Sequence, residues 1–244
     1  MGSITFIKDH LSNAERVGVF TGSGVSAESG LDTFRGSGKD SLWLNHRVED
    51  VCTQRGFLRD PILVWRFYNQ RREDLKPVTP NNGHNVIAEL EAKFENFLLI
   101  TQNVDSLHSK AGNKKIVELH GNLSRTRCNS CSYVKHDDYE PINIKQIKCP
   151  ECISLVRPDV VWFEEMLPLE SFKKASKFVN EMTNKDIMFI VGTSMEVYPA
   201  ASIPELAYMR GALIVEINPI KSFYKPDVIH IPLGGSAGME LFKE

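Results

Sequence analysis

Four of the five cysteines in this 244-residue chain form two C-x2-C pairs, Cys128 with Cys131 and Cys149 with Cys152, separated by residues 132–148. Four thiolates at tetrahedral positions fill the coordination sphere of Zn²⁺, so such a metal holds structure and leaves no site for a substrate. In a chain with no export signal the pairs favour a metal over disulfides, and one structural Zn²⁺ per chain is expected. Cys52 is left over. A zinc ribbon that touches nucleic acid is the competing reading, although the loop carries mixed charges: Lys135, Asp137, Asp138, Glu140, Lys145 and Lys148.

A second group of chemical residues sits at the ends of two apolar runs. FLLI delivers Thr101-Gln102-Asn103-Val104-Asp105, and IVEL delivers His120-Gly121. In an open parallel sheet the carboxyl ends of the strands line the ligand crevice, so Gln102, Asn103, Asp105 and His120 can face one pocket. An imidazole there suits proton abstraction near neutral pH, with a purely structural histidine as the alternative. For Asp105 the alternative is a helix cap before Leu107.

Gly22-Ser23-Gly24-Val25-Ser26-Ala27 matches G-x-G-x-x-G/A directly after the apolar run ending at Phe20. Small residues there would let backbone N–H groups approach a pyrophosphate, and a helix start favours negative charge. A mere tight turn is the other reading. The acidic second strand that usually reads a ribose is missing, because Phe34 to Arg72 looks helical and aromatic, so a dinucleotide would bind by a variant plan. In that region Tyr68 and Arg71 stand three apart on one helix face, a phenol and a guanidinium suited to clamp a carboxylate. The alternative is a solvated basic face shared with Arg66 and Arg72.

The elements that position these residues follow from periodicity. Ser3–Asn13 reads as an amphipathic helix capped by Ser3, and Val17–Phe20 as a buried strand. Asp60-Pro61 opens a helix through the arginine-rich stretch, and another runs over Pro80–Lys93 with His84 in its first turn. Strands are expected at Phe97–Ile100, Ile116–Leu119, Asp186–Val191, Leu213–Ile217 and Val228–Ile231, with a helix over Ala200–Met209. The alternation predicts an α/β fold, a doubly wound parallel Rossmann-type sheet with a smaller zinc-binding and helical module.

With 42% hydrophobic residues and a formal charge of −2, the chain can bury a full core and lacks the basic excess typical of nucleic-acid binders. No run approaches the ~18 apolar residues of a membrane span, and the first fifteen or so residues hold no signal-peptide core. A soluble, unexported, cytoplasmic monomer is expected, with no membrane partner and no stable nucleic-acid partner.

The blocks TGSGVSAESGLDTFRG, TQNVDSLH, ELHG, the two C-x2-C pairs, RPDVVWF, VGTS and EINP resemble, in this order across essentially the whole chain, the sirtuins, NAD-dependent protein-lysine deacylases. The resemblance implies a Rossmann-type NAD-binding domain over about 1–35, 81–122 and 162–244. It places a small module over about 36–80 (helical) and 123–161 (zinc-binding), with NAD as co-substrate in the cleft between the two. By motif, Gly22, Ser23, Gly24, Phe34 and Arg35 would hold the phosphates and ribose, and Gln102, Asn103 and Asp105 the nicotinamide. Gly192, Thr193, Ser194, Asn218 and Ala237 would meet the adenosine half. Val161, Trp162 and Phe163, beside Glu196 and Val197, would pair with the backbone of an acylated protein substrate.

In the reaction so implied, the acyl oxygen attacks the ribose carbon and expels nicotinamide to give an alkylimidate. His120 then activates a ribose hydroxyl, which attacks the imidate carbon, and collapse with water yields free lysine and O-acyl-ADP-ribose. The Y-x-x-R pair Tyr68 and Arg71 marks the class III branch, which favours succinyl and malonyl groups over acetyl. A mainly deacetylating enzyme, a mono-ADP-ribosyltransferase on the same scaffold and a zinc-ribbon nucleic-acid binder are the alternatives. Several positions depart from the family pattern: Ser23, Leu31-Asp32, Ser106, Glu164 and Met195. Ser106 and Glu164 stand where glycine is usual, and Leu31-Asp32 places cofactor affinity in question.

Overall fold

The computed structural model describes residues 2–31 and 46–243. The expectations at Asp32, Phe34 and Arg35 lie outside the described residues. Helix α1 (Gly2–Ser12) buries Ile7 and Leu11, with Ile4 packed beside them, as the i, i+3, i+7 spacing requires. Ser3 is inside this helix and so is not its cap. Strand β1 (Val17–Thr21) is buried at every residue, and a single turn, α2 (Gly24–Ala27), follows.

Helices α3 (Val48–Val51), α4 (Gln54–Arg59) and α5 (Pro61–Leu75) come next. Thr53 caps α4 by accepting from the Gly56 N–H at 3.0 Å. Asp60 caps α5 by accepting from Leu63 at 2.9 Å, with Pro61 at the first helical position. In α6 (Asn82–Lys93) the Asn81 side chain accepts from Gly83, and His84 Nδ1 accepts from the Asn81 N–H at 3.3 Å. His84 thus closes a capping box in the place where glutamate or glutamine is usual.

The chain continues through β2 (Phe97–Thr101), α7 (Leu107–Lys110) and β3 (Ile116–Glu118). Strands β4 (Gly121–Cys128), β5 (Val134–His136) and β6 (Val156–Val160) follow. Then come α8 (Leu169–Asn180), β7 (Ile187–Val191), α9 (Ser202–Met209), β8 (Leu213–Ile217), β9 (Ile229–Ile231) and α10 (Gly235–Glu240). Six strands form a parallel sheet in the order β3-β2-β1-β7-β8-β9. Because successive side chains alternate, Val17, Leu99, Phe189 and Val215 enter one core, packed by α1, α6 and α10. Phe20, Leu98, Ile100, Met188 and Ile190 enter the other, packed by α8 and α9. Both faces of the sheet are covered, which is why its strands read as unbroken apolar runs.

A third core lies between the second sheet, β5-β4-β6, and helices α3 to α5. Trp65 is buried there and donates Nε1–H to the Val156 carbonyl at 2.9 Å. The three arginines of α5 have different surroundings, so the expectation of one solvated basic face is corrected. Arg66 is exposed, Arg71 half-buried and Arg72 fully buried. Arg72 donates to the Glu140 and Arg125 carbonyls at 2.9 Å each and pairs with Asp137 at 3.3 Å, tying α5 to the cysteine-bearing sheet. A buried cation is tolerable only with such a set of acceptors.

Ser106, Glu164 and Met195, the departures noted in the sequence, have left-handed backbones with φ of 56°, 69° and 56°. A side chain in that region costs about 1–2 kcal/mol, partly offset by the extra chain entropy a glycine would lose. Glu164→Gly is therefore expected to stabilise the protein by about 1 kcal/mol, a rise in Tm of about 2–4 °C by calorimetry. An unchanged or lower Tm would mean that the Glu164 side chain makes compensating contacts.

Candidate active site

Strand order reverses between β1 and β7, since β2 and β3 lie to one side and β8 and β9 to the other. Open α/β sheets bind ligands beyond the carboxyl ends of the strands at such a switch point. The loop Gly22-Ser23-Gly24 leaves β1 there, and Gly192-Thr193-Ser194 leaves β7. The two loops touch: the Gly24 N–H donates to the Gly192 carbonyl at 2.8 Å and the Gly22 N–H to Val191 at 3.1 Å. A Cβ on Gly24 would lie 2.7 Å from Gly192 Cα, and one on Gly192, at φ 60°, 2.3 Å from Val25 N. The Gly22 and Gly24 amides bond the Val191 and Gly192 carbonyls, and the smallness of these glycines serves that close packing.

A string of polar groups crosses the switch point above the sheet. His120 Nδ1 bonds the Gln102 carbonyl at 3.1 Å, Gln102 Nε2 donates to Thr193 Oγ1 at 3.0 Å, and Asn218 Nδ2 donates to the Thr193 carbonyl at 3.0 Å. A carbonyl only accepts, so the His120 proton sits on Nδ1 and the Nε2 lone pair is left for a substrate proton. Burial holds the His120 pKa below its ordinary value of 6.5, against the opposing pull of the Gln102 carbonyl. The imidazole is therefore neutral, and competent as a base, at neutral pH.

Asp105 is buried at 7% exposure and fully engaged. Its Oδ2 accepts from Ser26 Oγ at 2.7 Å and its Oδ1 from the Leu107 N–H at 2.9 Å, so the helix-capping alternative is realised together with a place in the polar cluster. Asn103 Nδ2 donates to Ser26 Oγ at 3.2 Å. Burial raises the Asp105 pKa, while the Leu107 and Ser26 bonds oppose that shift. Below lie His84, whose Nε2 is 3.4 Å from Ser26 Oγ, and His108, whose ring centroid is 4.7 Å from that of His84 with the planes tilted by 58°. Burial lowers the pKa of both, to about 4 for His84, so both stay neutral.

The four paired cysteines converge with all Sγ atoms within 4.8 Å of one another. Cys128 and Cys152 are 3.4 Å apart and Cys131 and Cys149 3.7 Å, too far for disulfides. Tetrahedral Zn²⁺ with Zn–S bonds of about 2.3 Å needs edges of about 3.8 Å, so the cluster fits a structural zinc site. The N–H groups of Ser130 and Cys131 point at Cys128 Sγ from 3.3 and 3.4 Å, as suits a thiolate.

The residues expected at the substrate side divide. The Val161 N–H donates to the His120 carbonyl at 2.9 Å, joining that segment directly to the histidine. The Trp162 N–H is taken by Glu165 at 2.9 Å and the Phe163 N–H by the Cys52 carbonyl at 3.0 Å, while the Trp162 carbonyl accepts from the Glu165 N–H at 3.2 Å. Glu196 is exposed and Val197 half-buried, on the loop after β7. Ser194 and Ala237 are also exposed; Ala237 lies in α10, whose first turn is bound by Glu28 through the Ser236 N–H at 2.8 Å.

Tyr68 does not share a solvated face with Arg71. It is 5% exposed, and its hydroxyl accepts from Trp162 Nε1 at 2.9 Å and stands 3.4 Å from Cys52 Sγ. Arg71 lies over the Phe67 ring at 5.6 Å and pairs with Asp74 at 2.9 Å, while its buried Nε has no hydrogen-bond partner among the described residues.

A profile described as Sir2 family matches residues 22–199, and the NAD-dependent protein deacylase of Thermococcus sibiricus (strain DSM 12597 / MM 739) is 45% identical over 227 residues, 90% of this chain and 86% of its own. This chain belongs to the Sir2 family. Another Sir2 relative, NAD-dependent protein deacylase 2 of Pyrobaculum aerophilum, is 44% identical over 232 residues, covering 95% of this chain and 90% of its own. A solved complex of a Sir2 homologue with NAD superposes with a TM-score of 0.87 at 38% identity, covering 97% of this chain and 91% of that one. Sequence reasoning about the Sir2 site missed Ser26 and His108. Ser26 was legible as a hydroxyl within the glycine motif, two residues after Gly24, and His108 as a histidine three residues beyond Asp105, in the first turn of the short helix that follows.

Proposed function

We propose that this Sir2-family protein removes acyl groups from protein lysines at the expense of NAD, and prefers succinyl and malonyl groups to acetyl. The polar string from His120 through Gln102 and Thr193 to Asn218, laid across the switch point, carries the reading. It supplies a base and side-chain amides linked along the switch point of the sheet. NAD would bring an activated ribose carbon whose bond to nicotinamide can be broken.

The chain's own residues would orient and shield that carbon. Asn103 and Asp105, fixed by Ser26, would hold the carboxamide, and Gln102 would set the tautomer of His120. His120 Nε2 would take a proton from a ribose hydroxyl after nicotinamide departs. The glycine loops and Asn218 would cradle the rest of the nucleotide, and residues 161–163 would hold the substrate strand. The domain division at about 35, 81, 122 and 162 belongs to the same proposal, as do monomeric action in the cytoplasm and independence from nucleic acid and membranes. No helix among the described residues is long and apolar enough to span a bilayer.

The acidic-acyl preference draws support from Arg71, whose Nε is unpartnered, one turn from a tyrosine that touches the Trp162 ring system. Asp74 opposes it, because a succinyl carboxylate must compete for the same guanidinium. Arg71→Met is expected to lower kcat/KM for succinyl-lysine peptide about tenfold or more and to leave acetyl-lysine nearly untouched. An unchanged succinyl-to-acetyl ratio would reject the clamp and favour a mainly deacetylating enzyme.

A further inference from the structure

Beside β6 lies a cleft of about 310 Å³ whose walls include Gly121, Arg127, Asp159, Val161, Glu165 and Met166. It adjoins the candidate site, since Gly121 follows His120 and the Val161 N–H is bound to the His120 carbonyl. The charges in its wall are unevenly satisfied. Asp159 Oδ2 accepts from Arg125 Nε at 2.6 Å. Glu165 accepts from Arg157 at 2.5 and 2.9 Å and from the Trp162 N–H at 2.9 Å. Glu165 thus has Arg157, while Asp159 shares Arg125 with Glu118.

Arg127 makes only longer ion pairs, to the same two carboxylates. Its nearest carboxylate oxygens are on Asp159 at 3.6 Å and Glu165 at 3.9 Å, beyond hydrogen-bond reach, and its buried Nε is unpartnered among the described residues. The side chain is 37% exposed, so the guanidinium has an open side. Burial, and then the charge of Arg157, push its pKa below the ordinary arginine value, against the opposing charges of Glu165 and Asp159. A loosely paired guanidinium with an open side on the wall of a cleft is matched by a carboxylate, which its planar fork binds through two N–H groups.

We propose that this cleft is a subsite for an acidic side chain of the substrate protein, an Asp or Glu close in sequence to the acyl-lysine, held by Arg127. The inference rests on the deacylase reading and adds a sequence preference to it. Repulsion from Asp159 and Glu165 is reduced by Arg157 on Glu165 and by Arg125, which Asp159 shares with Glu118.

The test uses acetyl-lysine peptides, which leave Arg71 out of play, with Glu or Gln placed at each flanking position in turn. Wild type should favour Glu over Gln at one position by about tenfold in kcat/KM, the difference lying in KM. In Arg127→Gln that Glu-to-Gln ratio should fall to about one, whatever happens to both peptides alike. Arg127→Lys should keep part of it. A ratio near one at every position in wild type, or a ratio that survives in a folded Arg127→Gln, would overturn the proposal. Should no peptide be turned over, the deacylase reading fails on its own, and anisotropy of the same labelled peptides reads the Glu-to-Gln binding ratio directly.

Discussion

His120→Ala is expected to reduce deacylation by about 10²- to 10⁴-fold, the usual worth of a positioned general base. The expectation rests on one bond, from Nδ1–H to the Gln102 carbonyl at 3.1 Å, which fixes the tautomer and aims the Nε2 lone pair outward. The pH dependence follows from the same geometry. Burial depresses the His120 pKa, so the base stays neutral to lower pH than a free imidazole. The acid limb of kcat/KM in the wild type should therefore lie below 6.5, with activity lost as pH falls through it. A limb above 7, or a His120→Ala protein that retains a tenth of the wild-type rate, would remove His120 from the role.

Metal removal should be nearly as damaging, but through the fold. Each of Cys128, Cys131, Cys149 and Cys152 belongs to the cluster, and Cys149 is 2% exposed. Strands β4 and β6, which carry or adjoin these cysteines, also form one wall of the third core and lead directly to Gly121 and Val160 beside His120. Metal affinity at a structural site is folding free energy, so loss of several kcal/mol is expected on chelation or in Cys149→Ser. The predicted readings are one zinc per chain by elemental analysis and a fall in Tm of more than about 10 °C without it. A proven metal-free protein with unchanged Tm and activity would refute a structural zinc.

The parts of this molecule that were legible in the sequence are those with local causes. Strands such as IMFIV are buried on both faces and read as apolar runs, and their carboxyl ends point to Gln102, Asp105 and His120 without further information. The C-x2-C pairs were legible because two ligands come from each short turn. Tyr68 was misread because a helix offers each residue two neighbours one turn away. It was paired with Arg71, whereas Trp65, Tyr68, Arg72 and Leu75 are the buried stripe at i, i+3, i+7 and i+10.

The burial of Arg72 had no local signal, since its acceptors come from residues 125–140. Likewise the close packing of Gly22 and Gly24 depends on Gly192, far along the chain. Strand β4, GNLSRTRC, looks polar because its arginines find carboxylates on β6 and the segment after it. Helix α8 is the reverse case: Phe172, Ala175 and Val179 mark its apolar face, a signal present in the sequence and readable by period alone.

The most direct test of the whole account is to incubate the protein with labelled NAD and a succinyl-lysine peptide and to identify the products by mass. The account predicts free lysine peptide, nicotinamide and O-succinyl-ADP-ribose in equal amounts, formed only when NAD is present. Label attached to protein with the peptide intact would contradict it and identify an ADP-ribosyltransferase instead.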